Sequence, residues 1–381
     1  EGYDFALAAP TGRAAKRMSE ATGYEAKTIH RLLEIGYSGN DEELSFAKNE
    51  ANPVEADVII IDEMSMVDIL LMNHLLKALE PGTRLILVGD VDQLPSVGAG
   101  NVLLDIINSS VINTVRLTDI FRQARESMIV VNAHMINNGE MPILNEKGKD
   151  FFFVAKRTHA DIVNTIVELC VRRIPDTYGY DPMRHIQVLT PTRKGPAGVA
   201  ALNIELQKIL NPKEKHKNEK SFRDYLFREG DRVMQIKNNY NLKWKKNDDE
   251  AFEGTGVFNG DTGIISEIDS EEQKVIVVFD DEKIAEYDFT ILDELEPAFA
   301  ATIHKSQGSE FPVVIIPIFP GPQVLMTRNL LYTAVTRARD LVILVGSRDC
   351  LAEMVGNDRE AGRNSDLADK LKKCLLGVGW R

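Results

Sequence analysis

The strongest constraint on the fold is a run of apolar residues, 58–61 (VIII), that ends in two carboxylates, Asp62 and Glu63. A continuous run of this kind is typical of a strand buried on both faces of a parallel sheet. In open α/β sheets, ligands bind beyond the carboxyl ends of the strands. The sequence therefore predicts an α/β fold with both carboxylates at a ligand-binding edge.

A second apolar strand, residues 84–88, runs into a polar loop at residues 89–95. Two such strand ends side by side suggest a phosphate and metal site. A carboxylate that ligates Mg²⁺, followed by one that orients or deprotonates water, suits phosphoanhydride hydrolysis. The alternative is two ordinary strand-to-loop exits, because short motifs also arise by chance.

Bulk properties narrow the class of protein. The 381 residues and net charge of −13 predict about two to three domains and argue against a protein that coats nucleic acid through a global positive field. The three cysteines, Cys170, Cys350 and Cys374, lack metal spacing, which predicts a reducing, cytoplasmic setting. Neither a membrane-spanning run nor a signal-peptide pattern is present. Because the chain starts almost directly in a strand, we expect a truncated start.

Two strand exits share a hydroxyl, a glycine and a base. In the first, Thr11 and Arg13 follow a strand predicted at residues 3–9; in the second, Thr192 and Arg193 follow one at 185–190. Such groups at a helix N-terminus suit contact with a nucleic-acid backbone phosphate, and two of them could grip one strand. A simple helix start capped by Thr11 is the alternative.

Two segments interrupt the α/β pattern. Residues 36–52 are polar with a turn signal and predict a protruding hairpin. Residues 211–296 are charged and hold short strands between turns, which predicts a small antiparallel barrel. Within it, Trp244 among lysines could stack on a base, or the run could be a solvated loop.

Three further elements are predicted where functional residues lie. Residues 112–117 read as a strand that closes the first sheet, and residues 118–138 as a long helix. Residues 329–339 read as a helix, which would place Arg337 and Arg339 on different faces.

Taken together, six stretches occur in the order and context of superfamily 1 helicases. The residues of each stretch resemble those of the RecD-like branch of these helicases, also called the RecD/TraA family. The resemblance covers nearly the whole chain except the tail. The stretches are 9–15 (APTGRAA), 61–65 (IDEMS), 89–95 (GDVDQLP), 121–123 (FRQ), 302–311 (TIHKSQGSEF) and 332–339 (YTAVTRAR).

The resemblance implies two RecA-like parallel-sheet lobes, with ATP in the cleft between them and single-stranded DNA across their top. It also implies an SH3-like β-barrel inserted in the second lobe, and a hairpin at about 36–52 that serves as the pin that splits the duplex. The implied domains are 1–117 (first lobe), 118–210 and 297–348 (second lobe), 211–296 (barrel) and 349–381 (tail).

Residue roles follow from the resemblance alone. Asp62 would hold Mg²⁺, Glu63 would activate the attacking water, and Gln93 would sense the terminal phosphate. Arg122 and Arg337 would reach that phosphate from the second lobe, Arg337 as an arginine finger that neutralises transition-state charge. Gly308 and Glu310 would lie near the nucleotide. The residues expected to contact DNA are Thr11, Arg13, Thr192, Arg193, Thr302 and His304.

The sequence departs from the family at one point. The phosphate-binding loop, Gly-x-x-x-x-Gly-Lys-Ser/Thr, should precede Tyr3 by one helix and does not occur in these residues. We therefore predict a fragment of an ATP-dependent, 5′–3′ DNA helicase that hydrolyses ATP poorly or not at all. Its partners would be single-stranded DNA, duplex junctions and possible subunits of a repair or recombination complex, with no membrane. A non-catalytic module that binds nucleic acid or a partner is the alternative.

Overall fold

The computed structural model describes residues 2–37, 44–117, 126–246, 253–280, 282–359 and 365–375. The chain forms two compact units. The first comprises Glu1–Ile120 together with Arg359–Arg381, and the second comprises Phe121–Asp358.

The amino-terminal part of the first unit alternates strands and helices. Its helices begin at polar caps: Thr11 accepts a hydrogen bond from the Ala14 amide, and Asp68 accepts one from the Leu71 amide. Its elements are β1 (Phe5–Ala9), α1 (Gly12–Thr22), β2 (Ala26–Thr28), α2 (Ile29–Leu32), β3 (Ile35–Tyr37), β4 (Leu44–Phe46), β5 (Val58–Ile61), α3 (Ile69–Lys77), β6 (Arg84–Leu87) and α4 (Val102–Ser109).

The second unit combines an α/β layer with an antiparallel insertion. Its elements are α5 (Met128–Asn137), β7 (Phe151–Ala155), α6 (His159–Glu168), α7 (Ile174–Tyr178), β8 (Ile186–Thr190), α8 (Val199–Leu210), β9 (Glu219–Phe222), β10 (Tyr225–Arg228), β11 (Arg232–Gln235), β12 (Asn239–Lys246), β13 (Glu253–Val257), β14 (Thr262–Asp269), β15 (Lys274–Phe279), β16 (Lys283–Asp288), β17 (Leu295–Pro297), β18 (Ala300–Thr302), β19 (Phe311–Ile318), α9 (Arg328–Val335), β20 (Ala338–Gly346) and α10 (Arg348–Gly356).

The chain then returns to the first unit. Helix α11 (Leu367–Leu375) packs on α4, where Leu367 and Leu371 contact the apolar core of that unit. The Ser365 hydroxyl donates a 2.6 Å hydrogen bond to the Asp105 carboxylate. The end of the chain is therefore part of the first unit's core packing.

The first unit is built on a parallel sheet in the order β2-β1-β5-β6. Its two faces differ. Ile59 and Ile61 point to the face covered by α2, α3 and α4, where the main core lies. The other face carries Ala9, which packs against Ala14 and Ala15 of α1.

The sheet face that packs against α1 is uncovered over β5 and β6. Ile60 and Ile86 lie side by side there, and Ile86 is 47% exposed. Val88, which directly follows β6, is 46% exposed. Interior strands of a parallel sheet are normally covered on both faces. We call Ile60, Ile86 and Val88 the open sheet face.

Strand β6 also forms one edge of this sheet in the described residues. Beside it lies an apolar cavity of about 730 Å³, lined by β6, α3, α4, α11 and residues 112–115. The strand predicted at 112–117 is wrong: these residues are irregular, with Val115 87% and Leu117 94% exposed. An apolar strand needs a neighbour to pair with, and this segment pairs with no strand in the described residues.

The second unit has a parallel sheet in the order β18-β8-β19-β20-β7. The barrel region is an antiparallel sheet in the order β13-β12-β16-β15-β14-β11-β17, wrapped around a core that includes Phe227, Tyr287 and Leu295. Short strands between turns, as predicted for this region, are present and include β11, β14, β15 and β16.

Two predicted helices are corrected. The helix predicted at 118–138 begins only at Met128, and residues 118–125 lie outside the described residues. The helix predicted at 329–339 ends at Val335, because Ala338 already pairs with Phe311 in the sheet. The run around Trp244 is strand β12, not a solvated loop, and the Lys283 ammonium lies 5.0 Å from the centre of the Trp244 ring.

Candidate nucleotide and nucleic-acid sites

In the first unit, the two carboxylates lie at the carboxyl end of β5. The Asp62 amide donates to the Ala8 carbonyl, so β1 and β5 end together. One carboxylate oxygen of Asp62 accepts a 2.8 Å hydrogen bond from the Glu63 amide. This bond fixes the Asp62 side chain at the sheet edge and turns the chain sharply away from the strand.

The turn places Glu63 in the left-handed backbone region, with φ of 54°. For a residue with a Cβ this conformation costs on the order of 1 kcal/mol. Gly89 makes it possible, because a Cβ there would lie 2.9 Å from the Met64 amide nitrogen. The end of β6 thus packs directly against the turn that presents Glu63.

The loop after β6 presents Gln93 next to this turn. Its side chain, 8% exposed, donates a 3.2 Å hydrogen bond to Asp90, and Asp90 also accepts from the Asp92 amide. Since β5 and β6 are parallel neighbours, Ile61 lies beside Leu87. Gln93 therefore shares one sheet edge with Asp62 and Glu63.

Thr11 and Arg13 lie at the same edge, after β1. The Thr11 hydroxyl oxygen accepts from the Ala14 amide at 3.2 Å and so caps α1. The simple capping role considered from the sequence is thus present. It uses only an acceptor position of the hydroxyl and leaves the predicted phosphate contact untested.

The donor set suits Mg²⁺ only in part. The described residues contain no cluster of three or more His, Cys, Asp or Glu side chains that could hold a metal ion. Mg²⁺ is usually held by one or two carboxylates together with water and substrate phosphates, and Asp62 supplies one such carboxylate. The residues therefore fit a Mg²⁺ ion that arrives with a nucleotide, not an all-protein metal cage.

In the second unit, the predicted nucleotide contacts meet at the amino ends of β19 and β20. Arg337 is 4% exposed and donates from Nη1 to the Ser309 carbonyl at 3.2 Å and from Nε to the Thr333 carbonyl at 3.3 Å. Gly308, with φ of 70°, and the exposed Glu310 flank Ser309. Arg337 is therefore held against the 308–310 loop, whereas Arg339 is exposed and pairs with Asp340.

The predicted DNA contacts of this unit lie at the opposite end of the sheet. Strands β8 and β18 are parallel neighbours with Thr190 beside Thr302, so Thr192 and Arg193 follow one strand end and His304 the next. In the register of β19, Phe311 lies six residues before the position beside Thr190 and Thr302, which is about 20 Å along the strands. The sequence motifs alone did not show that the predicted nucleotide contacts and the predicted DNA contacts lie at opposite ends of this sheet.

The hydroxyls of two predicted DNA contacts, Thr192 and Thr302, already take part in hydrogen bonds within the protein. Thr192 donates to the Lys194 carbonyl at 3.0 Å, and Thr302 accepts from the Lys305 amide. Partial desolvation lowers the pKa of the His304 imidazole, which favours the neutral ring at pH 7. His304 can therefore hydrogen-bond to a phosphate or base at neutral pH without contributing charge.

Sequence reasoning missed Glu296, whose carboxylate binds two basic side chains at this strand end. It accepts from Arg193 Nη2 at 2.6 Å and from Lys305 Nζ at 2.7 Å. Burial raises the pKa of Glu296, but the two cations outweigh it and the net pKa is lowered. No motif marks Glu296. Arg122, the remaining predicted site residue, lies outside the described residues.

Comparison with known proteins identifies the class. Residues 1–151 match an AAA domain, residues 202–279 the SH3 domain of ATP-dependent RecD-like DNA helicases, and residues 297–345 the UvrD-like helicase C-terminal domain. The fold is thus the RecA-like α/β helicase fold with an SH3-like insertion, as predicted from the sequence.

Individual relatives identify the family. The chain is 36% identical to the ATP-dependent RecD2 DNA helicase of Deinococcus radiodurans, over 97% of this chain and 47% of that protein. It is 32% identical to the RecBCD enzyme subunit RecD of Mycolicibacterium smegmatis, over 97% of this chain and 66% of that protein. The chain belongs to the RecD-like family of superfamily 1 helicases, and it spans only part of the length of these relatives.

Solved structures support the fold. A Pif1 helicase from Bacteroides in complex with ADP-AlF3 and ssDNA gives a TM-score of 0.54 at 21% identity, covering 100% of this chain and 89% of that chain. A structure of two coordinating Pif1 helicases on forked dsDNA gives 0.51 at 19% identity, covering 100% and 88%. Among the described residues, no helix combines the length and apolar character needed to span a bilayer.

Proposed function

We propose that this chain is the motor portion of an ATP-driven DNA helicase or translocase that moves 5′ to 3′ along single-stranded DNA and opens duplex junctions. The observation that carries the proposal is the placement of Asp62, Glu63 and Gln93 at one sheet edge of a RecD-like chain. We also propose that the hairpin of β3 and β4 is the pin that splits the duplex; the antiparallel pairing of these two strands supports this.

The proposed chemistry divides among these residues. Glu63 orients the attacking water and accepts its proton, and Gln93 contacts the terminal phosphate. Asp62 ligates Mg²⁺, which when bound neutralises charge on the phosphate oxygens. Arg122 and Arg337 supply further positive charge to the same group. The turn at Glu63 supports the role of base, because strained conformations gather at functional sites.

The phosphate-binding loop of the family is not within the 381 residues. We propose that, in the natural protein, the strand and helix that carry it lie against β6 and the open sheet face. The cavity of about 730 Å³ beside β6 and the unpaired segment at 112–117 support this position. A strand that lay between β6 and the 112–117 segment would pair with both of them.

The handedness of the sheet gives independent support. The connection β1-α1-β2 runs toward one edge with its helix on the α1 face, and β5-α3-β6 runs the other way with its helix on the opposite face. Parallel connections are right-handed in nearly all cases. A strand beyond β6 that leads into β1 would therefore place its helix on the α1 face, over Ile60 and Ile86.

The same reasoning proposes that this chain alone hydrolyses ATP slowly or not at all. Without the loop, the nucleotide phosphates lack their backbone amides and lysine, and Mg²⁺ lacks a hydroxyl ligand.

The alternative function, a module that only holds nucleic acid, is favoured by the basic strand ends with Arg193 and Lys305. One relative is a RecBCD subunit, so we also propose partner subunits of a recombination or repair complex.

ATP hydrolysis and strand binding, measured on the chain and on a longer version that carries the phosphate-binding loop, test these proposals. Single-stranded DNA should bind to both with a steep salt dependence, and DNA-stimulated hydrolysis should occur only in the longer protein. Salt-independent or undetectable DNA binding by both proteins would refute the nucleic-acid role. DNA binding by both without hydrolysis by either would favour the binding module.

A further inference from the structure

Glu296 lies where the barrel meets the parallel sheet of the second unit. It belongs to β17, which pairs with β11 of the barrel and leads directly into β18. Its side chain is only 12% exposed, and its two oxygens are divided between two cations: Oε1 binds Arg193 and Oε2 binds Lys305. We call these three side chains the clasp.

The clasp joins the two strand ends that carry the proposed DNA contacts. Arg193 directly follows Thr192 at the end of β8, and Lys305 directly follows His304 after β18. Arg193 remains 56% exposed and Lys305 23% exposed, so both cations can be reached from solvent. Glu296 therefore already neutralises part of the positive charge that a backbone phosphate would meet at the two strand ends.

The three side chains carry two positive charges and one negative charge. A phosphate that replaces Glu296 exchanges one anion for another, so the cations never have to lose a partner without gaining one. An exchange of this kind weakens the net binding of the nucleic acid. The phosphate must displace the carboxylate, and this offsets part of its attraction to the two cations. It also lowers the number of counterions released per strand bound.

We infer that Glu296 competes with the backbone phosphate of single-stranded nucleic acid for Arg193 and Lys305, and thereby sets how tightly the second unit holds the strand. The inference rests on the proposed function, because it takes the ends of β8 and β18 as the nucleic-acid track. A motor must release each phosphate that it has gripped, and an internal competitor makes that release easier.

The test is a salt titration of oligothymidine binding by the wild-type chain and Glu296→Gln. Glutamine keeps the shape of the side chain and removes its charge, so both cations become available to phosphate. We expect affinity to rise about 3- to 10-fold at low salt, and the plot of log K against log salt to steepen by about 0.7, since one added phosphate contact contributes about 0.7 for single strands.

Glu205→Gln is the matched control. Glu205 pairs with Lys208 on α8 at 2.7 Å and lies away from the strand ends. Its loss also removes one negative charge, so it should change affinity less than twofold by the general charge effect. An equal gain in both variants would contradict a specific role for Glu296.

A double-mutant cycle with Arg193→Gln guards against a folding artefact. Arg193→Gln should weaken binding more in the Glu296→Gln background than in the wild-type background, because only there does no carboxylate at position 296 compete with phosphate for the guanidinium. Equal effects in both backgrounds, or weaker binding by Glu296→Gln, would overturn the clasp. A wild-type chain without salt-dependent binding would instead refute the proposed function and, with it, the inference.

Discussion

The Arg337 guanidinium donates to the Ser309 carbonyl at 3.2 Å, so the proposed arginine finger is fixed to the loop that carries Gly308 and Glu310. In the family motif these are separate stretches of sequence. In the second unit they form one structural group at the amino ends of β19 and β20. A nucleotide contact made by Arg337 would therefore be coupled to the position of the 308–310 loop.

Arg337→Lys tests this coupling. Lysine cannot serve both the Ser309 and Thr333 carbonyls, so unfolding free energy should fall by about 1–3 kcal/mol. ATP turnover of the longer version that carries the phosphate-binding loop should fall by about 10³-fold or more if Arg337 is the finger. Thermal melts and ATPase assays measure the two effects. Arg339→Lys is the control, because Arg339 is exposed and its ion pair is with the adjacent Asp340; an equal loss of turnover there would contradict the assignment.

Gly89→Ala tests the close approach that supports the Glu63 turn. A Cβ at this position would lie 2.9 Å from both the Met64 amide nitrogen and Leu103 Cδ2. Overpacking of this kind costs about 1–3 kcal/mol. Gly356→Ala is the control, because a Cβ there meets nothing within 4 Å. Urea denaturation measures both variants, and equal midpoints would show that the turn tolerates the added methyl group.

Glu63 itself should show a trade between stability and activity. Glu63→Gly relieves the left-handed backbone and should be more stable than Glu63→Ala by up to about 1 kcal/mol. Both variants should lack ATPase activity in the longer protein, because both lack the carboxylate. Paired denaturation curves measure the difference. A Glu63→Gly variant less stable than Glu63→Ala would contradict the strain.

Asp231 makes stability depend on pH. Burial raises its pKa from 3.8 to about 6, against hydrogen bonds from Asn211, Gln207 and the Arg228 amide that favour the charged form. Between about pH 4 and 6 the folded protein binds more protons at this site than the unfolded chain. Its contribution to stability therefore falls as pH rises through this window, by about 3 kcal/mol in total.

Asp231→Asn isolates that contribution. The variant loses the titration and should be less stable than wild type below pH 4, where burial favours the protonated carboxyl and its contribution to stability is fully present. The difference in unfolding free energy between the two proteins should shrink as pH rises to 6 and then stay constant. Parallel curves from pH 4 to 7 in urea denaturation would show that Asp231 does not titrate in this range.

The sequence predicted the elements whose signals are local. The apolar run before Asp62 and the strands of the barrel are present because their residues carry their own pattern. The strand at 112–117 failed because pairing needs a neighbour that the pattern does not contain. Arg337 was placed on a helix because the chain reads as helical, whereas pairing of Ala338 with Phe311 ends it earlier.

The site was predictable only where family motifs mark it. Glu63 and Gln93 belong to motifs, and the parallel register of β5 and β6 brings them to one edge. Glu296 belongs to none. Its role depends on Arg193, which is 103 positions away in sequence, and such a contact becomes visible only in the folded chain.

We propose that Asp62 and Glu63 form the hydrolytic half of a DNA-dependent motor. DNA-stimulated ATP hydrolysis by the longer version that carries the phosphate-binding loop, with and without Glu63→Gln, tests this role, with nucleotide and DNA binding measured alongside. We predict that turnover collapses by about 10²-fold or more while both ligands still bind. Unchanged turnover in Glu63→Gln would contradict the assignment of the base and the account built on it.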